Sequence, residues 1–197
     1  MQHRKLTARN QTPAEARTAL ICAAICAGWS DVGRFPAAIG ATPMDDPNNL
    51  AARLRALEDR EAVRDLIASY GPLADSGDGE AAAALWTEDG TYEVIGFAKA
   101  VGRADIAALI DGPVHRALMA DGCAHMLGPI TITISGDSAQ ARGHSLVLRH
   151  TGSGFEAHRV AANRWTLART AAGWRVTHRI NALLDGTEEA RLLLAPN

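Results

Sequence analysis

Leu50, Leu54 and Leu57 recur at helical spacing, and Val63, Leu66, Ile67 and Tyr70 continue the rhythm. Arg53, Arg55, Asp59, Arg60, Arg64 and Asp65 fill the positions between them. This amphipathic pattern predicts a helix from about Pro47 to Tyr70. Gly71-Pro72 is expected to disturb it, because proline lacks a donor and clashes with the preceding turn. The run DSGDGE, Asp75 to Glu80, reads as a turn, and Asp78 is placed to cap a short helix over EAAAALW. Thr91 to Phe97 is predicted as a first strand. A helix from Gly102 to about Ile110 and another helical piece from Val114 to Ala120 follow, separated by Gly112-Pro113. The period then shortens to two. ITITIS, Ile130 to Ser135, alternates apolar and hydroxyl side chains. Ala139 to His150 forms the next strand, with His144, Leu146, Leu148 and His150 on one face. Phe155 to Thr170 and Trp174 to Leu184 complete the strands, and TEEARLLLAPN suggests a closing helical turn. Helices followed by hairpin-connected strands predict an α+β fold with a mostly antiparallel sheet.

Residues 30–48 are rich in Gly, Pro, Asp and Asn and read as a linker. The expected organisation is an extension over 1–46, poorly structured or holding a short helix, and a domain over 47–197. Met44 opens a stretch that reads like the natural beginning of that domain. Ala19 to Trp29 has the length of a signal-peptide core, but Glu15 and the lack of a small-x-small site argue against export. A cytoplasmic protein is therefore expected. No apolar run reaches the ~20 residues that span a bilayer, so no membrane partner is expected.

Composition changes this picture little. A chain of 197 residues with 47% hydrophobic and 21% charged residues fits one globular domain plus an appendage. A net charge of −2 gives no basic face for nucleic acid. Cys22, Cys26 and Cys123 are an odd set without a paired framework, which argues against a disulfide scaffold. Cys22 and Cys26 have no second pair or nearby histidine to complete a zinc site, and the histidines show no H-x-E-x-H run. No nucleophile elbow and no phosphate loop is present. Neither a metal nor an organic cofactor is expected.

The more specific phrases are Y-x4-D-S-G-D, LWTEDGTYEV, VGRADI, HMLGPITITISGDSAQARGHSLVL and GWRVTHR. In this order, over roughly residues 48 to 185, they resemble the SnoaL-like branch of the NTF2-like superfamily. The resemblance implies a conical α+β barrel, its curved, mostly antiparallel sheet wrapped around the N-terminal helices. It also implies proton-transfer chemistry of the scytalone dehydratase and bile-acid dehydratase type, with no metal or organic cofactor. In such enzymes an aspartate matching Asp75 pairs with a strand histidine matching His125. Read without the resemblance, Asp75 is first of all a turn aspartate before Ser-Gly, and the resemblance shifts that balance. His144 matches a second histidine and Tyr92 a pocket tyrosine. A backbone-satisfied core histidine is the alternative reading of His144. Tyr70 matches a tyrosine five residues before the aspartate, a spacing of about 140° on an ideal helix. Only a distorted turn at Gly71-Pro72 would bring both to one pocket. Ala74 stands where scytalone dehydratase has a further tyrosine, which argues against the same substrate.

His178 shares strand parity with Trp174, Val176 and Ile180, and Arg179 has the opposite parity, so only one of the two faces a cavity. His115, His150 and His158 lack a partner in the sequence and are expected at the surface or rim. The resulting expectation is a cofactor-independent lyase or isomerase. Its Asp-His base would act on a small hydrophobic cyclic molecule in a homodimer or homotrimer. A ligand-binding or polyketide-cyclase-like protein, or a small-subunit partner of an aromatic-ring dioxygenase, is the alternative.

Overall fold

The computed structural model describes residues 47–196, so the expectations for residues 1–46 lie outside the described residues. Helix α1 spans Pro47–Asp75 and α2 spans Gly79–Ala83. Strands β1 (Trp86–Val94) and β2 (Ala98–Val101) form a hairpin. Helices α3 (Gly102–Asp111) and α4 (Pro113–Asp121) follow. The long strands are β3 (Cys123–Ser135), β4 (Ser138–His150), β5 (Phe155–Thr170) and β6 (Gly173–Leu183). Helix α5, Glu188–Leu194, closes the chain. The six strands make one open sheet in the order β2-β1-β6-β5-β4-β3. Only β1 and β6 pair in parallel; the other neighbours are antiparallel.

The core lies between α1 and one face of the sheet. Val63, Ile67, Tyr70 and Ala74 form the buried stripe of α1 at helical spacing. They meet Trp86 and Tyr92 of β1, Ala139 and Ala141 of β4, Trp165 of β5 and Val176 of β6. The stripe is not buried throughout, since Leu50, Leu54 and Leu57 are exposed. Arg169 clasps Asp59 of α1 with two hydrogen bonds, 2.8 and 2.6 Å, and stacks over Trp174 at 4.5 Å. Such an exposed pair is screened by solvent and contributes little, so burial of the aromatic core holds α1 in place. On the other face of the sheet, Ala190 and Leu193 of α5 cover Ala162 and Ala182.

Two local expectations are corrected. The first helix does not end at Tyr70 but continues through Pro72 to Asp75. Pro72 sits on the exposed side, and the chain is still helical afterwards, with Ser76 N–H donating to the Pro72 carbonyl at 2.9 Å. The first strand is not Thr91 to Phe97. It ends at Val94, where Gly96 takes a left-handed φ of 75° in a turn, and four residues return as β2.

Gly71 has a specific task. A Cβ at this position would lie 2.1 Å from the His125 carbonyl oxygen of β3. Only glycine lets α1 approach the strand backbone this closely. Gly71→Ala is therefore expected to push β3 away and destabilise the protein by about 1–3 kcal/mol, as overpacking does. Thermal denaturation checks this; an unchanged Tm would show that the approach is not required.

Candidate active site

The last residue of α1 and the first turn of β3 meet across this glycine. The Asp75 carboxylate accepts two hydrogen bonds from His125. The ring Nδ1 donates to Oδ1 at 2.6 Å, and the backbone N–H donates to Oδ2 at 2.8 Å. The Cys123 thiol donates to Oδ1 at 3.5 Å. The aspartate thus grips both the ring and the backbone, which fixes rotation and tautomer together. With the proton on Nδ1, Nε2 of His125 carries the lone pair. The ring lines a cavity of 330 Å³. That volume is at the small end of ligand pockets. Its walls are mainly apolar, with Val94, Leu109, Ile110, Leu127 and Val147 among them.

Burial holds the His125 pKa below the ordinary value of 6.5, and the Asp75 hydrogen bond pulls the other way. The positive charges that His115 and Arg179 can carry lower it further. A lowered pKa keeps the imidazole neutral over a wider range. The acid limb of any activity that needs neutral His125 should lie below pH 6.5. Stability follows the same sign: this residue's contribution is present above the unfolded value and lost as pH falls through the folded one. Asp75→Asn removes the raising influence, so the His125 resonance should titrate at still lower pH. An NMR titration reads this, and an upward shift in the variant would contradict it.

Tyr70 and Tyr92 line the same cavity, their rings edge-to-face with centroids 6.2 Å apart. Burial, first of all, pushes the Tyr70 phenol above its ordinary range, so it remains a neutral donor. The expected distortion is not needed to recruit Asp75, which stands behind His125 while Tyr70 reaches the cavity.

His144 is not in this group. It is exposed, and the cavity side of β4 carries Ser145 and Val147. The expectation that the face of His144, Leu146 and Leu148 turns inward is corrected. The inward residues of β4 are Ala139, Ala141, Gly143, Ser145 and Val147, and of the opposite set Leu146 alone reaches the cavity lining.

Arg179 is the residue that sequence reasoning did not place. It is 2% exposed and lines the cavity. Its guanidinium lies over three rings, 4.0 Å from Trp165, 4.2 Å from Tyr70 and 4.4 Å from Tyr92. Nε and Nη2 donate to the Asn163 amide oxygen at 3.1 and 2.8 Å. Asn163 is held in turn by Asn181 and Ser145 at 2.9 and 2.8 Å. Nη1 is buried without a hydrogen-bond partner. Strand parity with Trp174 and Val176 would put His178 inside. A bulge at Thr177 reverses this, because Val176 pairs with Leu167 whereas His178 pairs with Thr166. His178 turns away instead and hydrogen-bonds the Thr91 hydroxyl.

His115 was also expected at the surface or rim, and the structure corrects this too. It is 8% exposed and lines the cavity, its ring centroid 5.2 Å from that of His125. His150 is exposed, and His158 is exposed at the cavity wall.

A SnoaL-like domain matches residues 55–180 of the sequence. The chain belongs to the SnoaL-like family. Among solved structures, this SnoaL-like protein is similar to an NTF2-like protein with a cystatin-like fold from Novosphingobium aromaticivorans. The two are 67% identical, with 78% of this chain and 99% of that one covered and a TM-score of 0.76. A function-unknown protein from Mycobacterium tuberculosis is 22% identical, covering 74% of this chain and 80% of its own, with a TM-score of 0.60. A protein provisionally assigned as an aromatic ring hydroxylase, from N. aromaticivorans, is 26% identical. It covers 65% of this chain and 90% of its own, with a TM-score of 0.54. No curated protein matches the sequence. The NTF2-like α+β fold agrees with the architecture above, and among the described residues no helix is long and apolar enough to cross a membrane.

Proposed function

We propose that this SnoaL-like protein is a lyase or isomerase whose own side chains carry the proton transfers, acting on a small hydrophobic cyclic carbonyl compound. The observation that carries this reading is the grip of Asp75 on His125, which leaves one lone-pair nitrogen on a ring that lines an apolar cavity. His125 Nε2 takes a proton from the carbon next to the carbonyl. The electron pair moves onto the carbonyl oxygen, where the Arg179 guanidinium and the tyrosine hydroxyls stabilise the enolate. Where a hydroxyl lies β to the carbonyl, the imidazolium returns its proton to that oxygen and water leaves. Where the ring carries a β,γ double bond instead, the imidazolium returns its proton to the γ carbon of the dienolate and the double bond moves into conjugation with the carbonyl. Cavity size limits the substrate to one or two fused rings, and Arg179 gives it a required acceptor.

The test is proton–deuterium exchange at the carbon next to the carbonyl, followed by NMR in heavy water with cyclic ketones and cyclic hydroxyketones. Exchange above the buffer rate, with water loss from a hydroxyketone, is the expected result. A complete lack of exchange across the panel would favour a second reading, a subunit or binding partner in aromatic-ring oxidation. The likeness to the provisionally assigned ring hydroxylase motivates that alternative. It predicts that the chain co-purifies with an oxygenase subunit.

A further inference from the structure

The proton-transfer reading leaves His115 and Cys123 unused, yet both lie against His125. One donor atom from each of His115, Cys123 and His125 lies within 4.8 Å of the other two. We infer that these three side chains bind a thiophilic divalent ion of the zinc type, and that its binding silences the base.

Each donor is prepared in a separate way. His115 Nδ1 donates to the Ile110 carbonyl at 3.0 Å, so its lone pair is on Nε2. That Nε2 is buried and has no hydrogen-bond partner, on a side chain more than nine-tenths buried. A naked acceptor in such a place costs about 1–3 kcal/mol unless something satisfies it. His125 has the same arrangement, its Nδ1–H given to Asp75. Ligating histidines characteristically donate their second ring N–H to a carbonyl or carboxylate, and here one does each. Cys123 stands two residues before His125 on β3, so both side chains share one strand face. Two imidazoles and a thiolate form a set that suits zinc with an open fourth position, and the thiolate disfavours magnesium and calcium.

Bonds of about 2.0–2.3 Å place the donors of one tetrahedral ion roughly 3.5 Å apart, so side-chain adjustment of about an ångström closes the cluster. The charges around the site are Asp75, which favours a cation, and Arg179, which opposes it. The Cys123 thiol is pushed up to about 11, first by burial and then by Asp75. It is therefore protonated at neutral pH, and each ion bound must displace that proton to the buffer as the metal–sulfur bond forms. Affinity should rise with pH accordingly. An ion on His125 removes the site's base from action, by taking its lone pair or by displacing its Asp75-bound proton. This functional consequence, unlike the binding itself, rests on the proton-transfer reading.

Cobalt(II) is the probe. The full chain, stripped with chelator, is titrated with cobalt while the near-ultraviolet thiolate-to-cobalt charge-transfer band is followed. The band should saturate at one equivalent and disappear when zinc is added. Cys123→Ser retains Cys22 and Cys26 and should lose the band. His115→Gln should weaken cobalt binding at least about tenfold. A parent protein without the band, or a Cys123→Ser variant with an unchanged band, would overturn the site. Circular dichroism of both variants checks that the fold is retained, and Cys123→Ala substitutes if the serine variant does not fold. Zinc is then added during ketone exchange, each variant compared with its own zinc-free rate. One equivalent should stop exchange by the parent and not by His115→Gln. Exchange that continues in zinc-saturated parent would refute the silencing. No exchange even without zinc would refute the base assignment while leaving the cobalt result standing.

Discussion

His125→Ala is expected to lower the rate of ketone proton exchange by about 10²–10⁴-fold, the usual contribution of a positioned general base. The variant removes the lone pair and leaves Asp75 without its ring partner. Asp75→Asn tests a different element of the same device. It keeps the shape of the side chain but lets its amide present a donor to Nδ1, which favours the wrong tautomer and places the ring proton on Nε2. The base is then blocked rather than absent, and a loss approaching that of His125→Ala is expected. The backbone N–H of His125 also loses a charged acceptor, so a modest drop in Tm should accompany the asparagine variant. The two variants together separate chemistry from folding. A His125→Ala protein that exchanges as fast as the parent removes the histidine from the mechanism. Loss in His125→Ala with none in Asp75→Asn would leave the base in place and reduce Asp75 to a turn residue.

The legible parts of this chain were those with a repeating period. The stripe Val63, Ile67 and Tyr70 and the alternation of Ile130, Ile132 and Ile134 both specify their elements, because burial of one face needs that spacing. The meeting of Asp75 with His125 was legible only through the motifs that carry the family resemblance, since no local pattern links residues 50 positions apart. What was not legible was hidden for separate physical reasons. Pro72 did not stop α1, because it lies on the exposed side and the aromatic core holds the helix on both sides of it. His144 was assigned inward with Leu146 and Leu148, whereas the inner face of β4 carries Ala139, Ala141, Gly143, Ser145 and Val147, a set too mixed in polarity and size to mark the buried side. His178 and Arg179 stayed open alternatives, because the Thr177 bulge that decides between them reverses parity and leaves no mark in composition. His115 had no partner in the sequence because its partners come from tertiary packing. The following pair Cys123 and His125, two apart on one strand, was the available hint.

Arg179→Met should cut exchange by about 10²–10³-fold, the loss typical of removing one donor from a developing oxyanion. The reason lies in what surrounds the guanidinium. Among the described residues no carboxylate pairs with it; three aromatic faces and the neutral Asn163 oxygen contact it. Cation–π contacts supply about 0.5–2 kcal/mol each, against a desolvation cost of several kcal/mol for a buried ion. The balance makes Arg179 a poor stabilising element, and its buried Nη1 is left without a hydrogen-bond partner on a residue that lines the cavity. Methionine fills the space between the rings without a charge, so Tm should hold or rise, because replacing buried ions with apolar groups is often neutral or stabilising. Arg179→Lys provides the control. It keeps the charge but loses the planar stack and the fork to Asn163, so partial activity with lower stability is expected. Stability and activity therefore move in opposite directions across the two variants. Should Arg179→Met retain parental exchange while His125→Ala loses it, the enolate must be stabilised by the tyrosines alone. Should Arg179→Met unfold, the guanidinium is instead a structural keystone of the Asn163, Asn181 and Ser145 network.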